Sequence, residues 1–214
     1  VVKHINNTIN TNFGNPSSNN LFGKIAYDYV EKSRFKISKL VKCSPNDLFF
    51  TSGSTESNNL AIKGFSLQNK KKGNHIITFK TEHKSVLDVC DYLSKEQGFK
   101  ISYLDVNNDG TIDLNVLKKT FTSETILCIV MHANNEIGII NPINEINNIC
   151  KKNNVFLFVD ATQSVGKIPV DIELMDIDLM SFSSHKLYGP QGIGCLYIKN
   201  GIKNRVLKGQ IVGG

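Results

Sequence analysis

The chain has 214 residues, 25 Lys and Arg against 19 Asp and Glu, and a formal net charge of +6. Its 40% hydrophobic and 21% charged residues are near the globular average, which argues against wholesale disorder and against a fibrous protein. No apolar run approaches the roughly 18–20 residues that cross a bilayer, so we predict no integral membrane protein. The lysines are scattered and lack interleaved aromatic residues, so we predict a solvated basic surface and no nucleic-acid partner.

The five cysteines form no C-x-x-C pair and no zinc-ligand spacing, so we predict no metal site. The odd count favours reduced, mostly buried thiols in a reducing compartment. The chain begins with Val and ends at Gly213-Gly214, and we expect a fragment that is incomplete at both ends. The absence of a secretory leader therefore predicts little about targeting.

Short apolar segments alternate with amphipathic ones along the chain. The first twenty residues are polar and turn-prone, which predicts a loop. The later elements, in chain order, are a helix at 23–42, a strand at 48–51, a helix at 56–67, a strand at 75–79, a helix at 86–96, a strand at 100–104, a turn at 107–110, a helix at 114–120, a strand at 125–131, a helix at 143–152, and strands at 155–160, 179–183 and 195–198.

This alternation predicts βαβ units and an α/β fold, with a mostly parallel sheet sandwiched by helices. In such sheets ligands bind at the carboxyl ends of the strands. The residues that directly follow each predicted strand are therefore the candidate site residues.

After the strand at 48–51, the segment S-G-S-T-E-S leads directly into a helix. Free backbone N–H groups at such a helix start, with the hydroxyls of Ser54 and Thr55 as further donors, would suit a phosphate. The alternative is that a hydroxyl only caps the helix, with Glu56 favouring its positive end. The segment is not a Walker loop, because it contains no G-K-[ST].

The ends of the predicted strands at 75–79 and 125–131 carry a histidine and a pair of asparagines. His83 lies between a strand and a helix, where a lone histidine is more often a surface or capping residue. Asn134 and Asn135 precede Glu and Gly, which is typical of a polar turn, although their amides could also hold a polar substituent of a ring.

The ends of the predicted strands at 155–160 and 179–183 carry Asp160 and Lys186. A buried unpaired charge is costly, so Asp160 needs a partner such as a protonated pyridine nitrogen, unless it is the N-cap of the next helix. Lys186, before a Gly/Pro turn, is either a solvated loop lysine or an amine that loses its proton to attack a carbonyl. A phosphate loop, a carboxylate for a ring nitrogen and an amine are the parts that pyridoxal 5′-phosphate (PLP) requires.

Six segments in order carry a resemblance that extends over nearly the whole chain: F-G-N-P-S-S, F-T-S-G-S-T-E-S-N-N-L-A-I-K-G, T-E-H-K-S-V-L-D, M-H-A-N-N-E-I-G, V-D-A-T-Q-S-V-G-K and S-F-S-S-H-K-L-Y-G-P-Q-G-I-G. They resemble the PLP-dependent cysteine desulfurases of the NifS/IscS type, within the class-V aminotransferase family. The resemblance implies an aspartate aminotransferase-like large domain over residues 1–214, partial, with the C-terminal small domain absent. It implies conversion of L-cysteine to L-alanine, with the sulfur kept as an enzyme persulfide for iron–sulfur cluster assembly and tRNA thiolation.

The same resemblance implies a role for each candidate residue. Lys186 is similar to the Schiff-base lysine, His83 to the histidine that stacks on the ring and moves protons, and Asp160 to the partner of the pyridinium nitrogen. Gln163 and Asn135 would contact the ring oxygen and the substrate side. The residues implied to hold the phosphate are Ser54, Thr55, Ser183 and His185. The family also implies a homodimer, with each site completed by the partner subunit, and iron–sulfur scaffold or other sulfur-acceptor proteins.

The chain departs from this family at the nucleophilic cysteine, which in the family lies on a flexible loop C-terminal to this segment. None of the five cysteines, Cys195 included, matches it. Asn20 stands where relatives often have His, and residues 212–214 resemble the start of a Gly-rich segment that leads toward the second subunit's cofactor. We therefore expect cofactor-binding machinery that does not complete sulfur transfer by itself.

Other functions stay open at this point. They are a selenocysteine lyase, another class-V PLP enzyme, and a truncated non-catalytic partner that retains the fold. A mitochondrion or a bacterial cytoplasm would suit the desulfurase chemistry.

Overall fold

A computed structural model describes residues 1–201 and 206–211 of the chain. The helices are α1 (Val2–Thr11), α2 (Leu21–Val41), α3 (Ser54–Asn69), α4 (Lys84–Gln97), α5 (Leu114–Thr120), α6 (Ile143–Lys152) and α7 (Ile172–Met175). The strands are β1 (Leu48–Thr51), β2 (His75–Phe79), β3 (Lys100–Leu104), β4 (Thr125–Met131), β5 (Phe156–Asp160), β6 (Leu179–Ser183) and β7 (Gly194–Ile198). Short 3₁₀ helices span Pro45–Asp47 and Ser184–Leu187. The Gly-rich segment expected at 212–214 lies outside the described residues.

Within the described residues, seven strands form one sheet in the order β1-β7-β6-β5-β4-β2-β3. The pairs β3–β2, β2–β4, β4–β5 and β5–β6 are parallel, whereas β7 runs antiparallel to both β6 and β1. The expected mostly parallel sheet is therefore confirmed. The carboxyl ends of β1, β2, β4, β5 and β6 meet at one edge, which is where the candidate residues were expected.

Apolar clusters cover the two faces of the sheet. One cluster contains buried side chains of α3 and α4, such as Phe65 and Leu93. The other contains buried side chains of α2, α5 and α6, among them Val41, Leu117 and Ile146. Strands buried on both faces read as continuous apolar runs, and every residue of β2, β4 and β6 is buried. The α/β fold with helices on both faces is confirmed.

The N-terminal loop prediction is wrong for residues 2–11, which form α1. Asn, Thr and β-branched residues have low helix propensity, so composition favoured a loop. Spacing would have indicated a helix, because Val2, Ile5 and Ile9 recur at the helical period, although none of them is buried. Helix α2 begins two residues before the predicted start, where Asn20 Oδ1 accepts the backbone N–H of Gly23 over 2.8 Å.

Two glycines bring β7 close to the start of α3. A Cβ on Gly194 would lie 2.5 Å from the carbonyl carbon of Gly53, a separation that real Cβ atoms do not show. Only glycine at 194 permits this approach. The contact holds the first turn of α3 against the sheet edge.

Among the described residues, no helix combines the length and the apolar character that a membrane span needs.

Candidate active site

A cavity of about 410 Å³ opens at the carboxyl edge of the sheet. Its lining contains all nine of the candidate site residues: Ser54, Thr55, His83, Asn135, Asp160, Gln163, Ser183, His185 and Lys186. They lie at or just after the carboxyl ends of β1, β2, β4, β5 and β6, so the sheet topology brings together residues that are far apart in the chain. The structure leaves none of them outside the cavity.

The N-terminus of α3 forms one wall. Its N-cap is Gly53 and no side chain caps it, so the alternative that Ser54 or Thr55 serves only as a cap is wrong. Instead Ser54 Oγ shares a 2.7 Å hydrogen bond with Thr162 Oγ1. Glu56 Oε2 accepts the backbone N–H of Ser52 over 2.6 Å, and hydrogen bonding to Ser52 holds the pKa of this carboxyl below its usual value. The first turn of α3 therefore keeps its backbone donors available to an anion.

The end of β6 forms the neighbouring wall. Ser183 is buried at the last position of the strand, and its Oγ lies 2.8 Å from His185 Nδ1. His185 follows on the 3₁₀ helix Ser184–Leu187 and is exposed to the cavity. Hydroxyl and imidazole donors thus stand beside the α3 N-terminus, which is a donor set suited to phosphate oxygens.

Asp160 ends β5 and is 5% exposed. Its Oδ1 accepts the Thr162 backbone N–H over 2.9 Å, and its Oδ2 accepts Asn58 Nδ2 over 3.0 Å. The N-cap alternative is wrong, because the next helix, α7, is capped by Asp171. Both hydrogen bonds come from neutral donors, and no lysine, arginine or histidine of the described residues forms an ion pair with Asp160. A buried carboxylate at a cavity wall without a cation suits a protonated ring nitrogen.

Lys186 lies on the 3₁₀ helix after β6 and is half-buried rather than fully solvated. The turn closes at Tyr188 with φ +61°, a left-handed conformation that ends the helix abruptly. No hydrogen bond or ion pair joins Lys186 Nζ to another described residue. The amine therefore lines the same cavity as Asp160 without a competing partner.

His83 both caps a helix and lines the cavity. Its Nδ1 accepts the backbone N–H of Ser85 over 3.1 Å at the start of α4, so the capping alternative is correct, but it does not exclude a role in the site.

The two asparagines after β4 have different roles. Asn134 Oδ1 accepts the N–H groups of Glu136 and Ile137 and so organises the turn, whereas Asn135 lines the cavity.

The cavity lining contains residues that sequence reasoning missed, chiefly Ser85, Thr162 and Gln191. Behind the lining, Asn58 was missed as well, although it stands inside one of the quoted motifs. The spacing could have indicated it, because Asn58 is four residues after Ser54 on a helix and therefore lies on the same helix face as Ser54. Gln163, which was predicted, has its Oε1 2.6 Å from Lys167 Nζ.

All five cysteines are free, and none of them lines the cavity. Burial raises the pKa of the Cys43, Cys90 and Cys195 thiols to about 12. A hydrogen bond with Cys150, together with burial, raises the pKa of Cys128 well above its usual value. The thiols of Cys43, Cys90, Cys128 and Cys195 are therefore protonated and poorly nucleophilic at neutral pH. Among the described residues, no group of three or more His, Cys, Asp or Glu side chains could hold a metal ion.

The residues present fit PLP by the chemistry of their donors. An uncapped helix start with adjacent hydroxyls suits the phosphate, the cation-free carboxylate of Asp160 suits the ring nitrogen, and the unpaired amine of Lys186 suits the aldehyde.

A model of the class-V aminotransferase family matches residues 1–214. The chain belongs to the class-V aminotransferase family. Class-V aminotransferases are PLP-dependent, in agreement with the donor set of the cavity. The chain is 54% identical over 201 residues to the cysteine desulfurase IscS of Buchnera aphidicola subsp. Acyrthosiphon pisum, covering 94% of this chain and 50% of that protein. It therefore spans about half the length of the curated relatives it matches.

Two solved structures are similar to this class-V chain over its full length. A NifS-like protein superposes with a TM-score of 0.94 at 38% identity, and 58% of that chain is covered. A structure described as SspA in complex with cysteine also gives a TM-score of 0.94, at 34% identity and with 61% of that chain covered.

Proposed function

We propose that the protein to which this chain belongs is a cysteine desulfurase. In this reaction the Cβ–S bond of L-cysteine breaks, Cβ gains a proton to give L-alanine, and the sulfur forms an S–S bond on an acceptor thiol, which becomes a persulfide. The observation that carries the proposal is that Asp160 and Lys186, each without a charged partner among the described residues, line one cavity with the anion-binding start of α3. The similarity to IscS and NifS-like proteins supports the substrate class.

Bound PLP supplies an electron sink for the carbons of an amino-acid substrate. In our proposal Asp160 holds the proton of the ring nitrogen, and Lys186 anchors the aldehyde end covalently. His83 covers the ring and moves protons, while Asn135 and Gln163 orient the ring oxygen and the substrate side. The phosphate is held by Ser54, Thr55, Ser183 and His185.

The acceptor thiol is proposed to be none of the five cysteines of this chain, because none of them lines the cavity and four of the five are buried. A thiol with access to the cavity has to receive the sulfur instead. We propose that the persulfide then supplies iron–sulfur cluster scaffolds and tRNA thiolation. The free thiols suit a reducing compartment, so we propose a mitochondrial or bacterial cytoplasmic location.

A homodimer is part of the proposal. Helices α1 and α2 and their connection expose large apolar side chains, which are the usual material of an interface between subunits. These side chains are Ile9, Phe13, Leu21, Phe22, Phe35 and Leu40.

The test uses the full-length holoprotein with L-cysteine and a thiol reductant, and it measures alanine and sulfide. We expect equal amounts of both products, loss of both in Lys186→Ala, and normal amounts in Lys95→Ala, which changes an exposed lysine on α4. Alanine formed from selenocysteine but not from cysteine would favour a selenocysteine lyase. No alanine from either substrate would contradict the proposal.

A further inference from the structure

Asn58 is fully buried on α3, and all of its polar side-chain groups form hydrogen bonds. Its Nδ2 donates to Asp160 Oδ2 over 3.0 Å and to Ser85 Oγ over 2.9 Å. Its Oδ1 accepts the hydroxyl of Ser181 over 2.5 Å. Ser85 Oγ in turn lies 2.8 Å from His83 Nδ1. One amide therefore joins the carboxylate and the imidazole of the cavity.

The direction of these hydrogen bonds is fixed by Asp160, because an ionised carboxylate can only accept. The Asn58 side chain must turn its NH₂ group toward Asp160, and this leaves Oδ1 facing Ser181. The opposite amide orientation would bring Oδ1 against the carboxylate oxygen and would leave the Ser181 hydroxyl facing NH₂. The amide is thus held in a single orientation.

The orientation of the Asn58 amide also determines how Ser85 hydrogen-bonds to His83. Because Asn58 donates to Ser85 Oγ, the Ser85 hydroxyl proton is free to point at His83 Nδ1. The backbone N–H of Ser85 also donates to Nδ1, over 3.1 Å, so two donors converge on this nitrogen. Nδ1 therefore acts as an acceptor, which places the ring proton on Nε2.

We propose that Asn58 is a positioning residue that sets the carboxylate of Asp160 and the tautomer of His83 together. The proposal rests on the proposed function, since both groups belong to the proposed PLP site. Asn58 itself does not line the cavity and acts through its two neighbours. Asn58 thereby couples Asp160, the proposed partner of the ring nitrogen, to His83, which is proposed to cover the ring.

The variant Asn58→Asp keeps the shape of the side chain and replaces its two donors by an acceptor. The new carboxylate faces Asp160 and repels it, and it also accepts the Ser85 hydroxyl proton that pointed at His83. We expect PLP binding at least about tenfold weaker, the factor equivalent to losing one hydrogen bond to a charged group. We also expect a shift of the His83 ring proton toward Nδ1.

Asn69→Ala is the matched control. Asn69 is buried on the same helix, but its Nδ2 donates to the carbonyl oxygens of Phe65 and Val206, away from the cavity.

Ser181→Ala is the second variant, for the case in which Asn58→Asp does not fold. It removes the donor to Asn58 Oδ1, so the amide is held less firmly against Asp160 and Ser85, and it changes no residue of the cavity lining.

The experiment records imidazole ¹⁵N spectra of the full-length holoprotein, with the His83 signal assigned from His83→Gln, and measures PLP affinity by titration of the apoprotein. The proposal is supported if Nδ1 is unprotonated in the wild type and if Asn58→Asp shifts the ring proton and weakens PLP binding. Ser181→Ala replaces Asn58→Asp in this comparison if the latter does not fold. Asn69→Ala must retain the wild-type values. Wild-type values for either readout in the folded variant would overturn it. Neither readout needs turnover, so a holoprotein that makes no alanine contradicts the proposed function and leaves this test valid.

Discussion

Glu82 Oε1 accepts the backbone N–H of Met131 over 2.8 Å, which ties the segment after β2 to the end of β4. The other oxygen, Oε2, is buried and has no hydrogen-bond partner among the described residues. Burial raises the pKa of Glu82 to about 8, and the nearby negative charge of Asp160 acts in the same direction. A carboxyl group beneath the cavity is therefore protonated at neutral pH.

This protonated group predicts a pH-dependent stability. The pKa of Glu82 is about 8 in the folded chain against 4.5 as its ordinary value, so the folded state binds the extra proton between these values. The associated stability is fully present below pH 4.5 and is lost as the pH rises toward 8, by up to about 1.4 kcal/mol per pH unit.

Glu82→Gln removes this titration, so its free energy of unfolding falls less than that of the wild type across the same window. Urea unfolding of the apoprotein at about pH 5 and about pH 8 measures the difference. Glu96→Gln, at an exposed position of α4, is the control and is expected to behave as the wild type. Parallel pH dependence in wild type and Glu82→Gln would show that Glu82 is ionised in the folded state.

Asp160→Asn is predicted to weaken PLP binding by about 10- to 100-fold. The substitution keeps the shape but removes the negative charge, and a hydrogen bond to a charged group contributes about 1.5–3 kcal/mol. Titration of the apoprotein with PLP measures the change. Asp105→Asn, which breaks an exposed ion pair with Lys80, is expected to bind normally, and equal affinity of the two variants would rule out the assignment of Asp160.

Gly194→Ala is predicted to lower the free energy of unfolding by about 1–3 kcal/mol, the usual cost of overpacking. The added Cβ would lie 2.5 Å from the carbonyl carbon of Gly53 and push β7 away from α3. Gly53→Ala is the matched control on the other side of this contact, because its Cβ would meet only Ser183 Oγ, at 3.9 Å. Denaturant unfolding of both variants checks the prediction, which fails if Gly194→Ala is as stable as Gly53→Ala.

The five cysteines are predicted to react slowly with iodoacetamide in the folded protein and quickly after unfolding. Four are buried and Cys43 is half-buried, so the reagent has little access to their sulfur atoms. Mass spectrometry of the peptides that contain these cysteines, after labelling with and without denaturant, measures the rates. Rapid labelling of Cys195 in the folded protein would contradict its exclusion as the acceptor thiol.

The sheet was the most predictable part of the fold. Strand β4 is buried on both faces, and its sequence from 126 to 131 is an uninterrupted apolar run between Thr125 and His132. The antiparallel direction of β7 could not be predicted, because an apolar run does not encode strand direction. Its place between β1 and β6 depends instead on tertiary contacts such as Gly194 against Gly53.

The site residues that directly follow a strand could be predicted from the sequence. Asp160 and Lys186 reach one cavity because the carboxyl ends of β5 and β6 are adjacent in a parallel sheet. The spacing from Ser54 indicated the helix face of Asn58 but not its hydrogen bond to Asp160, which is distant in the chain. Glu82 escaped prediction because its burial and its bond to Met131 are not visible in the residues next to it.

The central claim is that Lys186 is the residue that holds the cofactor covalently. The direct measurement is borohydride reduction of the full-length holoprotein, followed by proteolysis and mass spectrometry of the PLP-labelled peptide. We predict the label on Lys186, its loss in Lys186→Ala, and its retention in Lys80→Ala, which changes an exposed lysine paired with Asp105. A label on any other lysine, or one that persists in Lys186→Ala, would contradict the account.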